Sequence, residues 1–156
     1  MLFTRKLFIP AAVILAIILL ASCTAMKQPS DIGLTNGRLS PCPSSPNCVS
    51  SDARDKSHRI EPLRLAADPM TVWKALKELL NTRPRTRITT AAEDYLQAEE
   101  KSRIFGFVDD IEFHLRSAEG IIAVRSASRV GYSDFGVNRR RVEEIRKVLH
   151  EQNLIE

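Results

Sequence analysis

The chain is poor in several things that usually identify an enzyme. It has one tryptophan, two tyrosines, three histidines and three cysteines in 156 residues. It contains no glycine-rich phosphate loop, no dinucleotide fingerprint and no nucleophile elbow, so the turns that mark nucleotide enzymes and α/β-hydrolases are missing. His58, His114 and His150 are far apart, and the cysteines do not stand at a standard zinc spacing. Charge of one sign is also scarce. The formal net charge is +4, and Arg5 and Lys6 lie in a segment expected to be removed. Taking those two from 23 basic residues leaves 21 against 19 acidic, a net of +2. That is not the footprint of a nucleic-acid-binding domain.

What is present first is an export signal. Arg5 and Lys6 form a basic start, Leu7–Leu20 is an almost unbroken apolar run, and Met1–Ser22 holds no acidic residue. The run suits a signal core and is short for a spanning helix. Leu20-Ala21-Ser22-Cys23 then matches the bacterial lipobox, with Cys23 as the acceptor of diacylglyceryl and palmitate chains. More than one acyl chain makes such anchoring stable. The expectation is a cell-envelope lipoprotein whose domain lies outside the cytoplasm. Thr24 follows the cysteine where an Asp would favour the inner membrane, so the outer membrane, facing the periplasm, is favoured. An uncleaved N-terminal anchor is the alternative. Residues 23–40 read as a lipidated tether, with Pro29, Gly33 and Gly37 and no apolar period.

A single domain is expected over 41–156, with its core at about 57–152. It opens on Pro41–Ser51, whose three prolines favour turns over helix. Cys42 and Cys48 lie in this loop, and an oxidising compartment favours a disulfide between them over metal binding or a reactive thiol pair. Ile60–Leu65 can form a strand interrupted by Pro62. Asp68-Pro69 starts a helix, with Val72, Trp73, Leu76, Leu79 and Leu80 as its apolar stripe and Asn81 and Pro84 as its stop. Thr86–Ala91 and Tyr95–Glu100 read as strands.

In Asp110–Arg116, Ile111, Phe113 and Leu115 alternate with charged residues and His114, the pattern of a strand with one wet face. A turn at Ser117–Gly120 leads to a strand over Ile121–Arg129. Pairing Arg116 with Ile121 sets Phe113 opposite Val124 and Glu112 opposite Arg125, with Arg129 diagonal to Asp110. A slip by one residue destroys both matches. Val142, Ile145, Val148 and Leu149 then mark a final helix capped by Asn138, and the tail beyond Gln152 is expected to fray. The fold class is α+β: an antiparallel sheet of about five strands with two helices on one face, in the order βαββββα. In architecture this is like the half-repeat of TATA-binding-protein-like folds, an analogy that carries no function.

The residues that break a local rule are Arg139, Arg140 and Arg141. They enter the final helix at its N-terminus, where partial positive charge disfavours them. With Asp109, Asp110, Glu112, Arg125, Arg129, Tyr132, Ser133, Asp134 and Asn138 they form the candidate site. Either it is a closed ion-pair network tying the sheet to the helix, or it is an arginine pocket for a phosphate, carboxylate or lipid headgroup, with hydroxyls from Tyr132 and Ser133. Asp110, Glu112 and His114 share a strand face but read as solvated rather than metal-binding. A serine–histidine pair between His58, His114 or His150 and Ser44, Ser45, Ser50 or Ser51 would have no supporting turn motif. No catalytic residue, metal or cofactor is assigned.

The segments Cys42–Ser51 (CPSSPNCVSS), Phe107–Phe113 (FVDDIEF) and Arg125–Glu143 (RSASRVGYSDFGVNRRRVE) resemble, in order, those of the bacterial proteins that contain Domain of Unknown Function 1499. The resemblance runs from Leu39 to Leu149. It brings no activity, substrate or cofactor, and its motifs fall on Cys42, Cys48, Asp109, Asp110, Arg125, Arg129, Asp134, Asn138, Arg139 and Arg141. Many such proteins look membrane-associated, in agreement with the lipobox. The functional expectation is a non-catalytic envelope module that binds an anionic small molecule, a lipid or a protein partner. An envelope hydrolase and a scaffold whose arginines only stabilise the fold are the alternatives.

Overall fold

The computed structural model describes residues 31–156, so Cys23 and the export signal lie outside the described residues. The main sheet has six strands: β3 (Cys48–Ser50), β4 (Leu63–Arg64), β5 (Thr86–Ala91), β6 (Tyr95–Lys101), β7 (Val108–Arg116) and β8 (Ile121–Ser128). A separate hairpin, β1 (Leu34–Thr35) and β2 (Arg38–Leu39), precedes it. The helices are α1 (Pro69–Thr82) and α2 (Val137–Glu151). The antiparallel path runs β3-β8-β7-β6-β5, and β4 pairs the same edge of β8 beyond β3. The βαββββα order of the sequence reading therefore runs from β4 to α2, with β3 added from the cysteine loop.

The register of the central hairpin is as the charge and apolar patterns require. Arg116 pairs Ile121, Phe113 pairs Val124 and Glu112 pairs Arg125. Gly120 closes the turn at φ +65°, a conformation glycine adopts without strain. One face of this sheet carries Leu96, Ile111, Phe113, Leu115, Ile122 and Val124, and both helices pack on it. Helix α1 is capped by Asp68, whose carboxylate accepts from Thr71 N at 2.9 Å, with Pro69 in its first turn. It buries Val72, Trp73, Leu76 and Leu80, while α2 buries Val142, Ile145 and Leu149.

Four sequence expectations are corrected. The face of β7 that bears Asp110, Glu112, His114 and Arg116 is buried, not wet. Its cover is the segment read as tether: Gly33 N donates to Glu112 at 2.7 Å, and Leu39 is buried. Residues 33–40 therefore belong to the folded domain, and Val49 of β3 joins its core. Asn138 is not the cap of α2; Gly136 holds that position, and the carboxylate of Asp134 before it accepts from Gly136 N and Asn138 N at 2.9 and 2.8 Å. The tail does not fray. Ile155 is buried and bridges Leu65, and Glu156 N donates to Arg64 O at 3.0 Å.

Candidate functional site

The site begins with two acidic doublets. Glu99-Glu100 on β6 and Asp109-Asp110 on β7 are register neighbours, Glu99 opposite Asp110 and Glu100 opposite Asp109. Because side chains alternate, one like-charge pair falls on each face of the sheet. Like charges directly opposite each other destabilise a sheet. Each pair is bridged by one arginine.

On the face away from the helices, Arg129 donates to Asp110 through Nε and Nη2, both at 2.8 Å, and to Glu99 at 2.5 Å. On the helix face, Arg141 donates to Asp109 at 2.5 Å, and its Nε lies 3.1 Å from Glu100 Oε1. Burial opposes the ionised form of both glutamates but is outweighed by the arginines, Arg129 and Arg87 for Glu99, Arg141 and Arg83 for Glu100. Both stay below the usual carboxylate range. The same Asp110 and Glu99 bonds outweigh burial at Arg129 and raise its pKa.

A third arginine lies on the face of Arg129. Arg125 is 2% exposed and donates to Glu112, which is fully buried, at 2.6 Å, and to Asp31 at 3.3 Å. Glu112 also accepts from Tyr95 OH at 2.8 Å and from Gly33 N. Burial first, and then the neighbouring Glu112 charge, push the Tyr95 phenol pKa up. Arg125 Nε has no hydrogen-bond partner among the described residues.

Asn138 ties the helix-face bridge to β8, the cysteine loop and the loop before α2. Its Oδ1 accepts from Ser126 Oγ at 2.6 Å and from Arg141 Nη1 at 2.7 Å. Its Nδ2 lies 2.9 Å from Asn47 O, Ser128 Oγ and Asp134 Oδ2. The loop holding Asn47 is closed by the Cys42–Cys48 disulfide. Of the three consecutive arginines, only Arg141 enters the network. Arg139 donates to Arg59 O at 2.8 Å and Arg140 to Phe135 O at 2.8 Å. Asp134 supplies the negative charge that the helix N-terminus and its arginines both favour. Tyr132 projects outward and Ser133 Oγ accepts from Phe135 N, so neither hydroxyl reaches the buried arginines.

Two cavities adjoin this frame and share Ser128 and Gly131 as a wall. The smaller, about 290 Å³, is polar and lined by Asp31, Ser45, Asn47, Asp110, Arg125 and Arg129, among others. The larger is an apolar cleft of about 600 Å³ between the β6–β7 and β8–α2 loops. Its walls include Ile104, Phe105, Phe107, Val130, Phe135 and Val137, with Asp109 and Asp134 also lining it. The rings of Phe105 and Phe107 stack with centroids 5.5 Å apart.

Sequence reasoning had missed Glu99, Glu100, Ile104, Phe105 and the cleft. The available signal was Ile104-Phe105-Gly106-Phe107, an apolar cluster between strands where a polar turn is usual. It also missed Asp52, which holds Arg116 through two bonds at 2.9 and 2.5 Å and accepts from Leu39 N at 3.0 Å.

The catalytic alternatives find little geometry. His58 Nε2 meets the backbone carbonyl of Ser45 at 3.2 Å and Nδ1 meets Asp55 at 2.9 Å, and the serine hydroxyl beside it is that of Ser57, 3.5 Å from Nδ1, rather than that of Ser44, Ser45, Ser50 or Ser51. His114 Nδ1 accepts from Arg116 at 3.1 Å. The described residues contain no cluster of three or more His, Cys, Asp or Glu that could hold a metal, and no helix among them is long and apolar enough to cross a membrane.

Frame and cavities define a class: a single α+β domain, clamped by buried arginine–carboxylate bridges, with an apolar cleft at one end of its sheet. The chain belongs to the family described as "Protein of unknown function (DUF1499)", whose model matches residues 38–149. No curated protein and no solved structure matches it.

Proposed function

We propose that the chain is a bacterial envelope lipoprotein, anchored through Cys23, whose domain binds a lipid or another ligand with a long apolar part without catalysing its conversion. The observation that carries the binding role is the cleft, whose six apolar wall residues surround a space of a size usual for small-molecule sites. The arginine motif is the frame of that site rather than its contact surface. Arg125, Arg129 and Arg141 meet six carboxylates, Asp31, Glu99, Glu100, Asp109, Asp110 and Glu112. Arg83 and Arg87 pair Glu100 and Glu99 as well, so a bare phosphate or carboxylate entering there would meet cations already paired with acids, which favours an apolar ligand over the small anion that the arginines alone suggest.

The test is native mass spectrometry of residues 24–156, exported to the periplasm without lipid and incubated with envelope extract, beside Val130→Glu. The expected result is a bound species with the mass of an acyl-chain lipid, absent from the variant. A bare wild-type protein, or a species that Val130→Glu keeps, would sink the reading. The anchor is tested separately by labelled palmitate, whose incorporation Cys23→Ala should abolish.

A further inference from the structure

We propose that the loops bordering the cleft dock the domain on an anionic bilayer surface, so that the cleft opens against the membrane. This deepens the reading above and rests on Cys23 as the anchor. Ile104 is 82% exposed, Phe105 74% and Phe135 87%, and Tyr132, on the same loop as Phe135, is also exposed. Isolated exposed apolar residues are ordinary, but several side by side on two neighbouring loops form an interaction surface.

Phe135 is held at φ +52°, a left-handed conformation that a bulky side chain adopts only when its surroundings impose it. Two contacts impose it here: Phe135 N donates to Ser133 Oγ, and Phe135 O accepts from Arg140. The fold thus spends backbone strain on keeping an aromatic ring in water.

The surrounding charge selects the partner. Lys101 at the end of β6, Arg103 in the loop that follows and Arg140 at the start of α2 are exposed. The acids that line the cleft, Asp109 and Asp134, are occupied by Arg141 and by the helix N-terminus. Phenylalanine, isoleucine and tyrosine beside cations that form no salt bridge among the described residues fit the interface of a bilayer that contains anionic lipid, where aromatic rings sit at headgroup level and basic side chains meet phosphates.

Chain length places this surface near the membrane. Asp31 lines the polar cavity that adjoins the cleft, and seven residues separate it from Cys23. Even fully extended they span less than about 30 Å. Such a tether keeps the loops at high local concentration near lipid, so weak docking suffices.

The experiment is co-sedimentation of unlipidated residues 24–156, which include every core residue, with vesicles of phosphatidylethanolamine and phosphatidylglycerol or of phosphatidylcholine alone. The variants are Ile104→Asp/Phe135→Asp and Lys101→Glu/Arg103→Glu. The expected result is binding to the anionic vesicles that falls roughly tenfold or more in the first variant and drops with salt and in the second. Circular dichroism should be unchanged in both, because the substituted side chains are exposed. Absence of vesicle binding, equal binding by wild type and the Asp variant, or self-association through the same residues would overturn the docking proposal. The bound species in the mass-spectrometric test is read without vesicles, so failure of docking and failure of the ligand reading are told apart.

Discussion

Arg129 shows how one residue settles a conflict that the backbone creates. Glu99 and Asp110 are brought face to face by the β6–β7 register, and a single guanidinium holds both. Removing one partner of a buried pair costs more than the pair itself contributes, because the other charge is left unpaired. Arg129→Ala should therefore lower stability by about 3–5 kcal/mol, read as the midpoint of chemical denaturation. Adding Asp110→Asn should recover part of that loss by relieving the repulsion. A loss below about 1 kcal/mol in the single variant, the range of a surface salt bridge, would show that the bridge contributes little.

The elements explain why some of this was legible and some was not. The β7–β8 register could be read because apolar and charged matches coincide at Phe113–Val124 and Glu112–Arg125. The wet-face reading of β7 failed because alternation reports that two faces differ, not what covers the polar one. Its cover, residues 31–40, has no periodicity to announce it. The tail was misread because its burial rests on only two apolar residues, Leu154 and Ile155, and on backbone bonds to β4 and its flank. Deleting residues 153–156 should accordingly cost about 1.5–3 kcal/mol and be visible as a lower Tm; an unchanged Tm would mean that the docked tail is incidental.

Strand β6 also sets the response to acid. Glu99 and Glu100 are held below their ordinary value of 4.5, and Asp52, through Arg116 and the Leu39 amide against the opposing effect of burial, below 3.8. Groups with depressed folded-state pKa values bind protons more readily once unfolded, so their contribution is complete above those ordinary values and is lost as pH falls through the folded ones. The Tm should be level near neutrality and decline progressively below about pH 4.5. A Tm that stays flat down to about pH 3 would contradict the assignment.

At the scale of the whole molecule, the family motifs meet in space although they are far apart in sequence. Asn47 beside Cys48, Asp109 on β7, and Asn138 and Arg141 on α2 form one bonded assembly. The disulfide fixes the loop end of that assembly, yet it closes only a short segment. Its reduction should remove about 2 kcal/mol by the chain-entropy estimate and lower Tm without unfolding the domain at room temperature. Complete unfolding by reductant alone would mean that the loop nucleates the fold.

The point where the chain enters the domain has a mechanical consequence. Asp31 and Gly33 are fastened to Arg125 and Glu112 in the middle of the sheet, and Arg38 and Leu39 to Asp52, which Arg116 holds. Tension applied through an N-terminal anchor is therefore spread over several bonds that must rupture together, rather than peeling an edge strand one bond at a time. A domain fastened in this way yields to a pull on its N-terminal side as a unit, or not at all.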